Sequence, residues 1–253
     1  MLRRAMTDDT EPMHLALFDL DNTLLAGDSD YLWGRFLVES GVVDADTHET
    51  TNRRFYEQYK AGELDIHAFQ RFALQPLLDN PLSEMRALRA RFVEECIRPI
   101  VARGTPRLLA AHRARGDALA IITATNRFVT EPIAELLQVG DLLATEPERN
   151  GERYTGAIAG TPCYREGKVE RLRQWLETRP ERVGRIWFYS DSHNDLPLLE
   201  HVDHPVAVDP DETLAEAAGE RGWPVVSLRG EDAEDVFERV AADIESQNRT
   251  AKK

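Results

Sequence analysis

The feature that most constrains the fold is a hydrophobic run that ends in two aspartates, LALFDLDNTLL at residues 15–25. A run of this kind predicts a short buried strand, and Asp19 and Asp21 stand where such a strand would carry Val or Ile. Side chains two residues apart on a strand share a face, with a backbone spacing of about 7 Å. Because two carboxylates in one pocket repel each other, this stretch predicts a counter-cation beside them.

Other hydrophobic runs alternate with helical patterns along the chain, and each run ends in a polar cluster. This alternation predicts a Rossmann-like α/β fold, a parallel sheet sandwiched by helices, whose ligands gather at the carboxyl ends of the strands. The predicted strands are residues 14–20, 118–123, 185–190 and, as a weaker candidate, 204–209. The predicted helices are residues 105–116, with Thr105 as N-cap and Pro106 at the first helical position, and residues 165–179.

Two segments interrupt this alternation. Residues 27–104 hold several helical patterns and begin directly after the first strand. We therefore expect an inserted all-helical cap over the carboxyl edge of the sheet, where a lid belongs. Residues 142–158 hold two β-type runs around Asn150 and Gly151, a pattern typical of a hairpin.

These patterns predict how the chain is divided. The α/β core is expected at residues 13–26 and 105–245, the helical cap at residues 27–104, a disordered tail at residues 1–12 and a second tail at residues 246–253.

A second acidic cluster, SDSHND at residues 190–195, also follows a hydrophobic run. It places Asp191 at the strand end and Asp195 one helical turn later. Mg²⁺ prefers hard oxygen ligands and keeps some of its waters, so it is the ion that two such strand ends could hold. A calcium loop at the first cluster is disfavoured by Thr23 and Leu24, where that loop needs an acidic or amide residue and a glycine. The alternative to a metal site is that these aspartates are simply solvated at the strand ends.

These residues resemble the motifs of the haloacid dehalogenase superfamily. DLDNT at residues 19–23 resembles its D-x-D-x-T motif, and SDSHND resembles its last acidic cluster. Thr123 in AIITATN matches the second motif and Lys168 the third. Lysine is rare in this arginine-rich chain, so Lys168 stands out. Its compact ammonium can bridge a carboxylate and a phosphate oxygen. The alternative is that Lys168 is a solvated surface lysine. The helical insert, with AGELDIHAF at residues 61–69, resembles the cap of the phosphoserine phosphatase-like branch.

The resemblance implies a Mg²⁺-dependent phosphatase. Asp19 would be the nucleophile that forms an aspartyl phosphate, and Asp21 the acid and base of the reaction. The carboxylates of Asp19 and Asp191, with the Asp21 backbone carbonyl, would hold Mg²⁺. Lys168, Thr123 and backbone N–H groups would neutralise the phosphate oxygens. Asp21 favours phosphoryl chemistry over carbon–halogen cleavage, because the dehalogenases lack this second aspartate.

Two further residues of the last motif receive supporting roles by the same resemblance. Asn194 would orient Lys168 in the substrate site, and Asp195 would join the metal site by orienting a metal-bound water. Helix capping is the structural alternative for both.

Asp28 bears on the substrate. It corresponds to a glutamate that meets the substrate ammonium in phosphoserine phosphatases, and capping of the helix that begins near Tyr31 is the alternative. The arginine that meets the substrate carboxylate in those enzymes would fall on Ala73, with Arg71 nearby on another helical face. This departure argues against phosphoserine and favours an amino alcohol phosphate without a carboxylate, such as histidinol phosphate or phosphocholine.

The predicted function is hydrolysis of a small, amine-bearing phosphomonoester, phosphoserine- or histidinol-phosphate-like. A phosphotransferase or mutase would use the same residues but would exclude water and present an acceptor. A non-catalytic binding protein of this fold would usually have lost a motif residue, and this chain retains all four motifs.

Charge and cysteine content restrict the partners and the location. The formal net charge of −14 repels nucleic acid and anionic membranes, and no apolar stretch approaches the roughly 20 residues that span a bilayer. The N-terminal residues lack the apolar segment of a secretory signal. Cys96 and Cys163 show no metal or disulfide spacing, which suits a reducing compartment, so we expect a cytoplasmic protein. The sequence predicts no oligomeric state.

Overall fold

The structure of the protein, a computed structural model, describes residues 12–180 and 182–230, together with residues 238 and 240. The tails predicted at residues 1–12 and 246–253 lie outside these residues, apart from Pro12. So does most of the predicted core beyond residue 230.

The strands form one large parallel sheet and one hairpin, and in the described part of the chain they are β1 (Met13–Phe18), β2 (Ala118–Asn126), β3 (Asp141–Thr145), β4 (Pro147–Asn150), β5 (Arg153–Ile158), β6 (Val183–Ser190), β7 (His204–Val208) and β8 (Val225–Val226). The parallel sheet has the order β3-β2-β1-β6-β7-β8. The four predicted strands are confirmed as its inner strands β1, β2, β6 and β7. Inner strands are covered on both faces and read as continuous apolar runs, which is why the sequence revealed them before the edge strands.

Helices cover both faces of the sheet, and in the described residues they are α1 (Ser29–Glu39), α2 (Ala45–Lys60), α3 (Ile66–Asp79), α4 (Leu82–Phe92), α5 (Thr105–Ala114), α6 (Arg127–Leu136), α7 (Glu166–Glu177), α8 (Leu196–Leu199) and α9 (Glu212–Arg221). Successive side chains of β1 show the two faces: Leu15 and Leu17 pack in one hydrophobic cluster with Leu172 of α7, whereas Ala16 and Phe18 pack in another with Leu108 of α5. The predicted α/β sandwich is therefore the observed fold.

Among the differences from the predicted boundaries, two concern the segment that follows β1. The first strand ends at Phe18 rather than at Leu20, because the chain turns directly after Asp19. Thr105 is not an N-cap but the first residue of α5, where Gly104 precedes it. The Thr105 hydroxyl instead donates to the Leu24 carbonyl at 2.8 Å and ties α5 to the segment after β1.

The helices α1 to α4 form the insert between β1 and β2, where the sequence predicts a cap. Aspartate side chains cap three of them: Asp28 caps α1, Asp44 caps α2 and Asp65 caps α3. The chain leaves the sheet and returns to it side by side, since the Ala26 N–H donates to the Ile100 carbonyl. This pairing closes the base of the insert beside the carboxyl end of β1.

The hairpin predicted at residues 142–158 is shorter than expected. Its antiparallel strands are β4 and β5, and Gly151 at the turn has a φ of +63°, in the left-handed region that favours glycine. The first part of the predicted run is wrong as a hairpin strand, because residues 142–145 lie in β3 and pair with β2 in the parallel sheet. An apolar run beside a turn can pair in a hairpin or in the parallel sheet, and the tertiary contacts determine which pairing forms.

The structure also bears on the membrane and the cysteines. Among the described residues, no helix combines the length and the apolar character that a membrane span requires. Cys96 and Cys163 are both free thiols.

We expect Leu17→Ala to lower the free energy of unfolding by about 2–5 kcal/mol, because Leu17 is fully buried between β2 and β6 and its truncation leaves a cavity. Urea unfolding at fixed pH measures the change. Leu78→Ala is the matched control, since Leu78 is 41% exposed and should cost clearly less. Equal losses in the two variants would contradict this account of the core.

Candidate active site

The ends of three adjacent strands carry polar residues to one edge of the sheet. β1 lies between β2 and β6; Asp19 follows β1 directly, Thr123 lies in β2, and Asp191 follows β6. The Asp19 N–H donates to the Tyr189 carbonyl at 2.9 Å, so the first residue beyond β1 is still held against β6. The fold therefore gathers side chains that are more than a hundred residues apart in the sequence.

Lys168 is the cation at the centre of this cluster. It lies in the first turn of α7, is 2% exposed, and places Nζ 2.7 Å from Asp19 Oδ1 and 2.7 Å from Asp195 Oδ2. Ser190 Oγ donates to the same Asp195 oxygen at 2.6 Å. Burial alone would lower the pKa of Lys168, but the two carboxylates outweigh it and raise that pKa above the ordinary value. The alternative of a solvated surface lysine is excluded.

The buried carboxylates outnumber this lysine. Burial, with repulsion from Asp195, raises the pKa of Asp19 to about 7, although Lys168 opposes the shift. Burial and repulsion from Asp19 and Asp195 raise the pKa of Asp191 well above its usual range. The surplus of negative charge, carried by hard oxygen donors, fits a divalent cation between Asp19 and Asp191.

Asp195 contacts Lys168, the partner that the resemblance gave to Asn194. Its Oδ2 accepts hydrogen bonds from both Lys168 and Ser190. A role for Asp195 in orienting a metal-bound water stays a prediction. Within the described residues, no group of three or more His, Cys, Asp or Glu side chains could hold a metal ion. An ion here would therefore use two side chains, a backbone carbonyl and waters, a set that Mg²⁺ accepts.

The Asn194 side chain has other partners than the predicted Lys168, which Asp195 contacts instead. Its amide accepts from the Tyr164 hydroxyl and donates to the Tyr59 carbonyl of the insert, both at 3.0 Å. The side chains of Asn194 and Asp195 do not cap a helix, since the Ser192 side chain caps this turn. Asn194 thus joins the sheet edge to the insert.

Asp21 follows β1 in an irregular turn, and both of its carboxylate oxygens accept hydrogen bonds. The Ser29 N–H donates to Oδ1 at 2.6 Å and the Thr125 hydroxyl donates to Oδ2 at 2.8 Å. Asn22 has a φ of +58°, a conformation that asparagine tolerates, and it turns the chain away from β1. Burial, with repulsion from Asp28, raises the pKa of Asp21 to about 7.

A cavity opens between the sheet edge and the insert. On the sheet side it is lined by Asp19, Asp21 and residues 123–125, and on the insert side by Asp28 and Asp30. Its described lining residues include no lysine or arginine. The aromatic side chains of the lining are Tyr31, Phe55, Tyr56, Tyr59 and Phe69. The cavity is acidic and aromatic.

Asp28 caps α1, as the structural alternative predicts. Its Oδ1 accepts from the Tyr31 N–H at 2.8 Å, and the same residue lines the cavity, so capping and substrate contact are compatible. The positions compared with the carboxylate-binding arginine, Ala73 and Arg71, are not among the lining residues, and Arg71 is exposed.

Three kinds of site residue escaped the sequence reasoning. Thr125 stands two residues beyond Thr123, a spacing that on a strand returns to the same face and could have drawn attention to it. Asp30 is buried in the first turn of α1 beside Thr125, and burial, with repulsion from Asp28, raises its pKa well above the usual range. The aromatic lining carries no signal in the sequence, since such side chains usually belong to a core.

Comparison with known proteins decides the family. The profile described as haloacid dehalogenase-like hydrolase matches residues 16–200. The chain belongs to this family. Histidinol-phosphatase of Neisseria meningitidis serogroup C (strain 8013) is 42% identical to it over 220 residues, which cover 85% of this chain and 99% of that protein. Phosphoserine phosphatase SerB1 of Mycobacterium tuberculosis (strain ATCC 25618 / H37Rv) is 31% identical over 89% of this chain and 75% of that protein.

Solved structures show the same fold. A protein of unknown function from Bordetella pertussis Tohama I is 43% identical, with a TM-score of 0.81, over 86% of this chain and all of that chain. A phosphoserine phosphatase with an analogue of the phospho-aspartyl intermediate has a TM-score of 0.65 over 90% of this chain and 99% of that chain. At 16% identity this second likeness is one of fold alone. The predicted superfamily and α/β fold are confirmed.

We expect the Asp19 carboxyl to contribute a decline in the unfolding free energy of the metal-free protein as pH rises from about 4 to about 7. The pKa of Asp19 is 3.8 in the unfolded reference and about 7 in the fold. In this window this group therefore binds its proton more in the folded state than in the unfolded state, and its contribution to stability declines with pH. Urea unfolding in EDTA measures the decline.

Asp19→Asn isolates the contribution of this carboxyl, because asparagine does not ionise. The decline should be smaller in this variant than in the wild type, and Mg²⁺ should stabilise the wild type more at pH 8 than at pH 5. An identical pH slope in both proteins would contradict the raised pKa of Asp19.

Proposed function

We propose that this protein hydrolyses small phosphomonoesters through a phosphoryl group carried on Asp19. The observation that carries the proposal is the position of Asp19 at the end of a central strand, between the Lys168 ammonium and the cavity. The phosphatases named among its relatives support the same reaction class.

We further propose Mg²⁺ as the cofactor. The Asp19 and Asp191 carboxylates and the Asp21 backbone carbonyl would hold it, and the surplus of buried negative charge described above supports this donor set. When bound, the ion would offset the repulsion between an anionic nucleophile and an anionic phosphate.

The side chains of this chain divide the remaining work. Asp19 attacks phosphorus, and Lys168 with the Thr123 hydroxyl compensates the charge of the phosphate oxygens. The P–O bond to the alcohol breaks, and Asp21 gives its proton to the departing oxygen. Asp21 then takes a proton from water, the water oxygen attacks phosphorus, and the bond to Asp19 breaks with its electron pair returned to the carboxylate.

We assign residues 27–104 the role of a cap over this site. Two contacts support it: the Tyr59 carbonyl accepts from Asn194, and the Gly62 carbonyl accepts from Arg165 at 3.1 Å. The Tyr59 carbonyl lies in the last turn of α2, and the Gly62 carbonyl lies directly after that helix. The insert would thus screen the phosphoryl group from bulk water while it supplies the wall that recognises the alcohol.

We propose an amine-bearing phosphomonoester without a carboxylate as the substrate class. The cavity presents the carboxylates of Asp28 and Asp30 beside aromatic rings, a combination that suits a cation, and the described lining has no basic side chain to meet a carboxylate. Because a relative of 42% identity is named histidinol-phosphatase, histidinol phosphate is the first substrate to assay.

Asp19→Asn should lower kcat by a factor on the order of 10³ or more, because the amide is no nucleophile, while the fold is retained. Phosphate release in the presence of Mg²⁺ measures it. Asp46→Asn, on the exposed face of α2, is the matched control and should keep wild-type activity. Substantial turnover by Asp19→Asn would rule out Asp19 as the nucleophile.

Asp28→Asn should raise KM for an amine-bearing substrate by about 10- to 100-fold, the value of one charge-assisted hydrogen bond, and leave KM for an amine-free ester nearly unchanged. Asparagine is as good an N-cap as aspartate, so α1 keeps its start. Steady-state assays with histidinol phosphate and propyl phosphate separate the two effects. Asp44→Asn, at the exposed N-cap of α2, is the control. Equal effects on both substrates would remove Asp28 from amine recognition.

A further inference from the structure

The Thr125 hydroxyl makes a contact that the family motifs do not explain. It lies near the end of β2, is 4% exposed, and donates to Asp21 Oδ2 at 2.8 Å across 104 positions of sequence. Thr123, two residues earlier, faces the same cavity, so one strand end presents two hydroxyls with different partners. The Thr123 hydroxyl accepts the Thr125 N–H at 3.2 Å.

The Thr125 contact completes a two-point grip on the Asp21 carboxylate. The opposite oxygen, Oδ1, accepts the Ser29 N–H at 2.6 Å from the start of α1. With one donor on each oxygen, rotation of the carboxylate about its own axis would break at least one hydrogen bond. The donors come from separate elements, since Ser29 begins a helix of the insert and Thr125 belongs to the sheet.

Asp21 depends on these two hydrogen bonds for its side-chain orientation, because the backbone around it is irregular. It lies in an irregular turn beyond β1, and its extended backbone is followed at once by the left-handed Asn22. By contrast, Thr125 stands between two anchored residues. Ile122 and Asn126 pair with Leu143 and Thr145 of β3, and the Asn126 side chain also caps α6 by accepting the Val129 N–H. These contacts on either side of Thr125 hold its hydroxyl in an orientation that the turn at Asp21 cannot set by itself.

We infer that Thr125 is a positioning residue, whose hydroxyl holds the Asp21 carboxylate in the orientation from which Asp21 transfers a proton to the leaving oxygen. The inference rests on the proposed function of Asp21 as acid and base.

This role predicts a dependence on the leaving group that a structural role lacks. When benzyl phosphate reacts, the P–O bond breaks to give an alkoxide that must take a proton from Asp21. When 4-nitrophenyl phosphate reacts, the nitrophenolate departs as a stable anion without that proton. Both esters carry one ring of similar size, so they probe the same cavity.

Thr125→Val removes the hydroxyl and keeps the side-chain shape. We expect kcat/KM for benzyl phosphate to fall by about 10- to 100-fold and kcat/KM for 4-nitrophenyl phosphate by less than about threefold. For the nitrophenyl ester, kcat should still fall after a burst of nitrophenol, because water attack on phosphorylated Asp19 also uses Asp21. Thr125→Ser should restore most of the benzyl phosphate activity.

Thr130→Val is the matched control. Thr130 is another buried threonine, and its hydroxyl donates to the Asn126 carbonyl at 3.1 Å rather than to Asp21. This variant should change kcat/KM for the two esters by the same factor. Thermal unfolding of each variant shows whether an activity loss reflects a loss of fold.

Three outcomes decide the inference. A selective loss for benzyl phosphate in Thr125→Val, rescued by serine, supports it. Equal losses for both esters, or none, overturn it while the role of Asp21 stands, provided that Asp21→Asn shows the selective loss. If Asp21→Asn shows no selectivity either, Asp21 is not the acid, and both the inference and that part of the proposed function are overturned.

Discussion

The arrangement of the site depends on a charge imbalance buried at the carboxyl edge of the sheet. Besides burial, repulsion from Asp195 raises the pKa of Asp19, and repulsion from Asp19 and Asp195 raises the pKa of Asp191. Among the described residues, Lys168 is the buried cation that opposes these carboxylates. Lys168 is shared by Asp19 and Asp195, which leaves Asp191 and part of the charge of Asp19 without compensation. A site built in this way favours ligands that bring positive charge, and its hydrogen bonds hold Asp19 in a fixed place.

The insert adds a second, different environment beside Asp19. Its contribution to the cavity is aromatic and acidic, whereas the sheet contributes hydroxyls and the carboxylates of Asp19 and Asp21. Backbone carbonyls of the insert, those of Tyr59 and Gly62, accept from Asn194 and Arg165 of the core. Insert side chains dock as well, since Gln70 donates to the Ala124 carbonyl and Arg89 to the Phe128 carbonyl. The position of the insert over the sheet edge therefore depends on both its backbone and its side chains.

The fold was predictable where burial leaves a mark on the sequence. Inner strands such as β1 and β6 read as apolar runs, and α5 and α7 show one apolar face, so element type and order follow from pattern alone. Residues 142–145 were assigned to the hairpin, because a short apolar run beside a turn fits either partner. Lys168 is contacted by Asp195 and not by Asn194, whose side chain meets Tyr164 and Tyr59, because residues adjacent in sequence point apart when the chain enters a helical turn.

The sequence by itself determined that acidic groups and a threonine stand at the ends of strands and that a lysine stands near the start of a helix, because hydrophobic runs and helical patterns are visible in any chain. Only the tertiary structure decided which partners those groups meet. Asp21 accepts a hydrogen bond from Thr125, which lies 104 positions away, and the insert supplies the aromatic side chains that line the cavity. Such contacts depend on strand order and on the docking of the insert, which arise from packing over the whole chain rather than from any local pattern.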